Sequence, residues 1–166
     1  MATFRQNGAI GALLDEYERA IKDLQAVISP LTPKELTEIV DKQTNDPDCQ
    51  SIQTVLTHVI NSGYGYIVYI RKYLGEELSI FERERFDFVA DYHTALTKMF
   101  RYNEQFFEDY PNIALEELDN AKKLVTRWGQ VFDIEQLMEH AIVHILRHRR
   151  QIEKFMVAQG FNKVSE

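Results

Sequence analysis

Residues 133–160 read DIEQLMEHAIVHILRHRRQIEKFMVAQG, and this stretch decides the fold class. Its apolar residues recur at steps of three and four, the spacing that places side chains on one face of an α-helix. They are Ile134, Leu137, Met138, Ala141, Ile145, Ile152, Phe155 and Met156. Asp133 and Gln136 suit an N-terminal cap, and Gly160 suits the C-terminal end. The stretch therefore predicts one long amphipathic helix.

Three earlier segments repeat this spacing, and each ends near a residue that disfavours helix. The first ends before Ser29-Pro30, and its apolar residues are Ile10, Leu13, Leu14, Tyr17, Ile21, Leu24 and Ile28. The second starts near Ser51 and ends near Gly75, and its apolar residues are Ile52, Val55, Leu56, Val59, Tyr66, Ile67, Ile70 and Leu74. The third ends at Pro111, and its apolar residues are Phe88, Tyr92, Ala95, Met99, Tyr102, Phe106 and Tyr110.

Four amphipathic helices bury their apolar faces most simply as a four-helix bundle. A short extra helix is expected between the first and second long helices, because Thr32, Pro33 and Glu35 match a capping box with proline at the first helical position. No segment of useful length alternates polar and apolar residues, so no strand is predicted. The 166 residues, 45% of them hydrophobic, have the size of one domain. We expect an all-α, single four-helix-bundle domain over residues 1–166.

The composition limits the partners of this chain. Its 26 acidic and 19 basic residues give a net charge of -7, which disfavours nucleic acid as a partner. Cys49 is the only cysteine, which excludes an intramolecular disulfide and a thiolate-rich metal cage and suits the cytoplasm. The sequence has no apolar run like that of a signal peptide and none near the roughly 20 residues of a membrane span. We expect a cytoplasmic protein that does not insert into membranes.

Four of the five histidines fall on two of the predicted helices: His58 on the second, and His140, His144 and His148 on the fourth. Residues four apart lie above one another on a helix, so each neighbouring pair can close on one ion. His140 and His148 are about 12 Å apart along the axis at about 1.5 Å per residue, too far to share an ion bound at about 2.1 Å. One of the three is therefore surplus.

Helical angles favour the pair His144 and His148. At about 100° per residue, His148 lies about 40° from Ile134 near the centre of the apolar face, His144 about 80° and His140 about 120°. His148 is therefore expected to be deepest and His140 outermost. His58 lies on the flank of the second helix's apolar face, and a ligand placed there can face a pair on another helix, as in the interior metal sites of bundles.

A simpler interpretation stands beside the metal site, because a histidine at a helix edge is more often solvated than bound to metal. A carboxylate-bridged di-iron site needs Glu-x-x-His on two helices, and no histidine here has a glutamate three residues before it. His93 falls off the apolar face of the third helix, so we expect it at the surface.

Three further features of the helices have a structural and a functional interpretation. The fourth helix has a basic end formed by Arg147, Arg149, Arg150 and Lys154, which suits the C-terminal pole of a helix more than an anionic substrate. Gly63 and Gly65 indicate close helix packing more than a substrate pocket. The tyrosines of the second helix are expected in the core or an interface rather than in catalysis, and they are Tyr64, Tyr66 and Tyr69.

Two segments resemble the DinB-like (DinB/YfiT) superfamily: residues 51–59, SIQTVLTHV, and residues 140–152, HAIVHILRHRRQI. The metal-binding helix of that family ends in a His-x-x-x-His-Arg-Gly-Gln pattern. Here Arg150 replaces the glycine of the pattern, at a position that the helical count directs away from the ligand face. The resemblance covers the order and length of the helices over essentially the whole chain, whereas its specific motifs lie in these two segments.

The resemblance implies that His58, His144 and His148 hold a divalent ion, with water or substrate completing the coordination. Zinc or nickel is the expected ion, with manganese or iron as alternatives. The resemblance also implies a homodimer, which the supply of aromatic residues on the second and third helices favours. It further implies a metal-dependent transferase that joins a low-molecular-weight thiol, such as bacillithiol or mycothiol, to an electrophile.

Two classes of function follow from the sequence. The first is an enzyme, a metal-dependent thiol transferase or hydrolase in which the ion activates a thiol or water. The alternative is a non-catalytic small-molecule-binding or stress-related interaction bundle. A general base beside the site would distinguish them, but the sequence identifies no catalytic residue. Cys49 has no base near it in sequence, so it has little support as a nucleophile.

Overall fold

The computed structural model describes residues 4–79 and 81–161. This part of the chain forms five α-helices, four of them long: α1 (Gly8–Ile28), α2 (Pro33–Thr37), α3 (Ile52–Tyr73), α4 (Val89–Asp109) and α5 (Ile134–Gln159). The strands β1 (Leu124–Val125) and β2 (Val131–Phe132) pair as an antiparallel hairpin before α5. Short 3-10 helices lie at Pro47–Cys49 and Asn120–Lys122. The predicted mainly helical fold is confirmed, including the short helix between the first two long ones.

The predicted capping residues fix the ends of the helices. The Thr32 side chain accepts from the backbone N–H of Glu35, whose carboxylate accepts from the backbone N–H of Thr32, and this closes a capping box before α2. Asp133 and Gln136 form the same arrangement before α5. Each cap satisfies backbone groups that the first turn leaves unpaired and contributes about 1 kcal/mol. Gly160 ends α5 at φ 67°, a conformation that favours glycine.

The four long helices enclose one core. Helix α1 packs against α4 and α5, and α3 packs against the same two helices. All four contribute side chains that are less than 2% exposed, among them Tyr17, Leu24, Ile28, Ile52, Leu56, Ile67, Ile70, Tyr92, Leu96, Met99, Phe106, Leu137, Met138, Ile145 and Ile152. Burial of an aliphatic or aromatic side chain contributes about 1.5–3 kcal/mol, so the shared core holds α3 and α5 side by side.

Two residues predicted in the apolar stripes are exposed. Leu74 is 38% exposed and Phe88 is 60% exposed. Leu74 lies one residue after the end of α3, and Phe88 lies one residue before the start of α4. Helical spacing does not govern the direction of a side chain outside the helix. The buried stripe of α3 therefore stops before Leu74, and the buried stripe of α4 begins after Phe88.

The connection between α4 and α5 contains a short hairpin that the sequence does not predict. Leu124 pairs with Phe132, and Val125 pairs with Val131. Gly129 lies in the turn at φ 84°, and its neighbour Trp128 donates from its ring nitrogen to the side chain of Gln130 at 2.7 Å. Strands of two residues are too short to give an alternating pattern. The hairpin places Trp128 beside α3 and α5.

Crossing a membrane requires a long and strongly apolar helix, and none of the helices in residues 4–79 and 81–161 meets that requirement.

Candidate metal centre

Three histidines meet where α3 packs against α5. The Nε2 atom of His144 lies 3.0 Å from Nε2 of His58 and 3.2 Å from Nε2 of His148. One ligand nitrogen from each ring lies within 4.8 Å of the other two. The structure therefore brings together the three residues that the sequence predicts as ligands, and His140 is not a member of this histidine cluster.

The depth of the α5 histidines follows the predicted order. His148 is 4% exposed and His144 is 5% exposed, whereas His140 is half-buried at the edge of the helix. His58 on α3 is also half-buried. The cluster thus lies at the border of the core, with two rings sealed by the helices and one ring reaching them from the neighbouring helix.

Two of the three rings are oriented by acceptors on their Nδ1 atoms. Nδ1 of His58 lies 3.1 Å from an oxygen of the Asp48 carboxylate, and Nδ1 of His148 lies 2.9 Å from the side-chain oxygen of Gln151. These oxygens accept hydrogen bonds, so each Nδ1 atom carries the proton. A neutral imidazole has a single N–H. In the neutral rings, the Nε2 atoms of His58 and His148 therefore carry no proton and direct their lone pairs toward His144.

This arrangement leaves lone pairs facing one another. One proton on Nε2 of His144 can satisfy His58 or His148, but not both. A cation among the three nitrogens satisfies all of them, and the hydrogen bonds on the far side of the rings are those that orient histidines bound to metal. The cluster therefore has the donor orientation of a cation site.

The distances fit a divalent ion. Two nitrogens bound at about 2.1 Å with tetrahedral angles lie about 3.4 Å apart. The observed separations of 3.0 and 3.2 Å differ from this value by a few tenths of an ångström, which small rotations of the rings can supply. Three imidazole nitrogens suit zinc and nickel better than calcium or magnesium, which prefer oxygen ligands.

Burial keeps the two α5 histidines of the cluster neutral. Burial lowers the pKa of His144 to about 2, and the neighbouring His148 and His58 add to the effect. Burial also lowers the pKa of His148 to about 4, although the hydrogen bond with Gln151 opposes this shift. Both rings are therefore unprotonated at neutral pH. A histidine must be unprotonated to bind a metal ion, so protons compete little at these two positions.

Asp48 is the main site residue that the sequence does not predict. Arg83 donates to both oxygens of Asp48, at 2.6 and 2.8 Å, and this contact holds the pKa of the carboxyl below its usual value. Asp48 lies in the turn that follows Asn45 and precedes α3. The sequence shows only that a carboxylate lies ten residues before His58. Whether its side chain reaches the His58 ring depends on how the turn folds back onto α3.

A cleft of about 800 Å³ opens beside the histidine cluster. His58 and His144 lie in its wall, whereas His148 is not among its lining residues. Its aromatic lining consists of Tyr64, Tyr66, Tyr69, Phe81 and Trp128, and its basic lining consists of Lys72, Arg83, Arg127 and Arg147. Tyr64 and Tyr69, predicted for the core or an interface, thus form a wall of the cleft. A small molecule in this cleft would reach the cluster from the side of His58 and His144.

His140 forms part of the cleft wall. Its ring stacks on Trp128 with centroids 5.9 Å apart and an angle of 25° between the ring planes. Burial, and then the charge of Arg147, lower the pKa of His140. His140 is therefore a neutral imidazole that faces the cleft, beside the cluster rather than within it.

The other candidate residues lie outside the cluster. Nε2 of His93 lies 3.3 Å from the hydroxyl of Ser29, between α4 and the end of α1. The thiol of Cys49 lies 3.5 Å from the carboxylate of Asp46, and burial is the largest cause that raises its pKa. A raised pKa favours the thiol over the nucleophilic thiolate. Neither residue adds a donor to the three histidines.

Comparison with models of known protein families and with curated proteins found no match. The resemblance to the DinB-like superfamily stays a prediction from the two sequence segments.

Proposed function

We propose that the protein is a DinB-like four-helix-bundle protein that binds one divalent metal ion through His58, His144 and His148. The observation that supports this proposal is the convergence of three imidazole nitrogens within 4.8 Å, two of them with the proton held on the far side of the ring. Zinc or nickel suits three imidazole ligands, and manganese or iron are the alternatives.

The proposed activity is a metal-dependent transfer to a thiol or a hydrolysis. A divalent ion bound by three neutral imidazoles supplies Lewis acidity, which promotes deprotonation of a thiol or water. Asp48 would orient His58, and Gln151 would orient His148, so that their Nε2 atoms keep their direction. His140 would accept the proton that the nucleophile loses, because it is a neutral imidazole that faces the same cleft.

Binding without turnover is the second candidate. Among the described residues that line the cleft there is no aspartate or glutamate, the side chains that serve most often as general bases after histidine. A cleft of about 800 Å³ with aromatic walls falls in the range of small-molecule sites, which are mostly apolar and largely preformed. The same residues would then hold a ligand on or beside the ion.

Metal analysis tests the metal-binding proposal. The chain is purified without a nickel column and assayed for zinc, nickel, manganese and iron. We expect about one ion for each chain, and a content that stays near zero after exposure to each metal would contradict the proposal.

Activity assays then separate the enzyme from the binding protein. The metal-loaded chain is screened with low-molecular-weight thiols against electrophiles and with ester and amide substrates. We expect turnover that a chelator abolishes and the metal restores. Full metal loading without turnover across the panel would favour the binding protein.

A further inference from the structure

We propose that the cleft beside the histidine cluster binds a small organic anion with a flat apolar group, its negative charge held by Arg127, Arg147 and Lys72. This inference rests on the proposed function, because it names the class of ligand for the same site. It assigns the anionic group to the basic lining and the flat group to the aromatic lining.

The charge of the cleft contrasts with that of the chain. Acidic residues outnumber basic ones by 26 to 19 in the whole sequence. Among the described residues that line the cleft, four are lysine or arginine and none is aspartate or glutamate. A concave wall with charges of one sign concentrates ligands of the opposite sign. The cleft is thus an attractive site for anions in a protein that is acidic as a whole.

Three of these four cations lack an acidic partner. Arg83 pairs with Asp48, but within residues 4–79 and 81–161 no carboxylate lies within 4.0 Å of the charged groups of Lys72, Arg127 and Arg147. Ion pairs do occupy most other described arginines, namely Arg5, Arg19, Arg71, Arg101 and Arg149. The donors of the cleft are therefore free for a ligand.

A divalent ion at the histidine cluster would favour an anion beside Arg147. Arg147 lies on α5 three residues after His144, and both residues line the cleft. A divalent ion at the cluster and the guanidinium of Arg147 would repel each other across this cleft, since both are positive. An anionic group between them turns this repulsion into two attractions. Contact with both groups would orient the ligand relative to the ion.

The aromatic walls define the other half of the ligand. The hairpin closes over α3, because the backbone N–H of Arg127 donates to the hydroxyl of Tyr69 at 3.3 Å. Trp128 meets the rings of Tyr66 and Tyr69 edge to face, with centroids 6.4 and 5.7 Å apart. Elsewhere in the cleft lining, Phe81 stacks on Tyr64 with centroids 4.2 Å apart. A flat apolar group gains contact with such rings that an inorganic anion cannot make.

Trp128 makes the proposal directly measurable. It is the only tryptophan of the chain and it lines the cleft, so tryptophan fluorescence reports on the cleft alone. Three probes share one ring and one quenching iodine atom but differ in charge: para-iodobenzoate, para-iodobenzyl alcohol and para-iodobenzylammonium. The full-length chain is titrated with each probe, both metal-free and loaded with zinc.

We expect para-iodobenzoate to quench Trp128 saturably and to bind at least about tenfold more tightly than the alcohol or the ammonium probe, since a hydrogen bond to a charged group is worth about one decade of affinity. The preference should be present in the metal-free chain and should increase with zinc. Equal quenching by the three probes, or quenching that never saturates, would overturn the proposal.

Three substitutions locate the anion. Arg127→Gln and Arg147→Gln should each lower the affinity for para-iodobenzoate by about tenfold and leave the affinity for the alcohol unchanged. The matched control is Arg150→Gln, because Arg150 is an exposed cation of the same helix that does not line the cleft. It should change the affinity less than about twofold, as expected for a distant, screened charge. Equal effects of Arg147→Gln and Arg150→Gln would place the anion outside the cleft.

Zinc affinity, measured separately by competition with a chelator, distinguishes this inference from the proposed function. If the chain binds zinc but has equal affinity for the three probes, the proposed anionic ligand is wrong and the proposed metal centre is unaffected. A chain that prefers para-iodobenzoate but binds no zinc would overturn the metal centre alone.

Discussion

Nδ1 of His58 lies 3.1 Å from the carboxylate of Asp48, whose two oxygens accept hydrogen bonds from Arg83. This contact connects the cluster to two loops. Asp48 lies in the 3-10 helix Pro47–Cys49 before α3, and Arg83 lies in the connection between α3 and α4. Because the guanidinium fixes the carboxylate, the His58 ring has one preferred direction, with its Nε2 atom toward α5.

Removal of the Asp48 carboxylate should weaken metal binding. In Asp48→Ala, the His58 ring loses the acceptor that fixes its proton on Nδ1, so Nε2 is no longer held toward His144. Loss of such an orienting partner costs about 10 to 100-fold in metal affinity. Zinc affinity is measured by competition with a chromogenic chelator.

The matched control for this substitution is Asp109→Ala. It also removes a carboxylate that pairs with an arginine, Arg71, but from α4, which carries none of the three cluster histidines. The control should bind zinc as the unmodified chain does. An unchanged zinc affinity in Asp48→Ala would show that the carboxylate does not orient a ligand.

Gly63 and Gly65 should respond in opposite directions to replacement by alanine. A methyl group on Gly63 would overlap the sulfur of the buried Met99 and lie 2.9 Å from its Cγ, whereas a methyl group on Gly65 meets no atom within 4 Å. Gly63→Ala should therefore lower the free energy of unfolding by about 1–3 kcal/mol, the usual cost of overpacking a core. Gly65→Ala should raise it by up to about 1 kcal/mol, because alanine favours helix.

Urea unfolding followed by circular dichroism measures both changes. Since the two glycines are neighbours on α3 but face different surroundings, each serves as the control for the other. Equal stability of the two variants would mean that α3 and α4 lie further apart at Gly63 than they do in the structure.

The sequence predicts close helix packing at both glycines. The structure shows it at Gly63, beside Met99, whereas Gly65 lines the cleft.

Acid should destabilise the metal-free protein in a range where few carboxylates titrate. An unfolded histidine takes up a proton below about pH 6.5, but burial lowers the pKa of His144 to about 2 and of His148 to about 4. Between about pH 6.5 and 5 the unfolded state therefore binds more protons than the folded state. The free energy of unfolding should decrease as the pH is lowered over this range, by on the order of 3 kcal/mol in total for the two rings.

Urea unfolding of the metal-free chain at about pH 7 and pH 5 measures this slope. His144→Gln should show a shallower fall than the unmodified chain, because it removes one of the two rings that stay unprotonated in the folded state over this range. The same slope in both proteins would mean that the folded His144 takes up a proton as readily as an unfolded one.

Local patterns predict the helices and the histidine cluster well. The spacing around Ile145 gives α5, and residues four apart on one helix, such as His144 and His148, share a face in any protein. Capping boxes such as Thr32 with Glu35 are also local, so the ends of the helices can be predicted.

Contacts made by the loops could not be predicted in the same way. Arg83 reaches Asp48 across 35 residues, and Trp128 reaches α3 from the hairpin between α4 and α5. No periodic pattern links such positions, because the path of a loop follows from the packing of the helices it connects. The orienting carboxylate and most of the cleft therefore became visible in the structure alone.

The homodimer stays a prediction. The aromatic residues of the second and third helices favoured a dimer, but two of them, Tyr64 and Tyr69, lie in the cleft wall. Helix α5 nevertheless has an outward face with exposed apolar residues: Val143, Leu146 and Val157 are 59%, 38% and 82% exposed. Light scattering at micromolar concentration should give a mass near 39 kDa, twice the 19.5 kDa of the chain. A mass near 19.5 kDa would contradict the dimer.

The central claim is that His58, His144 and His148, and not His140, hold a divalent ion. Each is replaced singly by alanine, and zinc affinity is measured by competition with a chromogenic chelator, with circular dichroism to confirm the fold. We expect a loss of at least about tenfold for each of the three, since loss of a ligand should be no milder than loss of a group that orients one. His140→Ala should retain most of the affinity. Loss of zinc in His140→Ala with retention in His148→Ala would contradict the account.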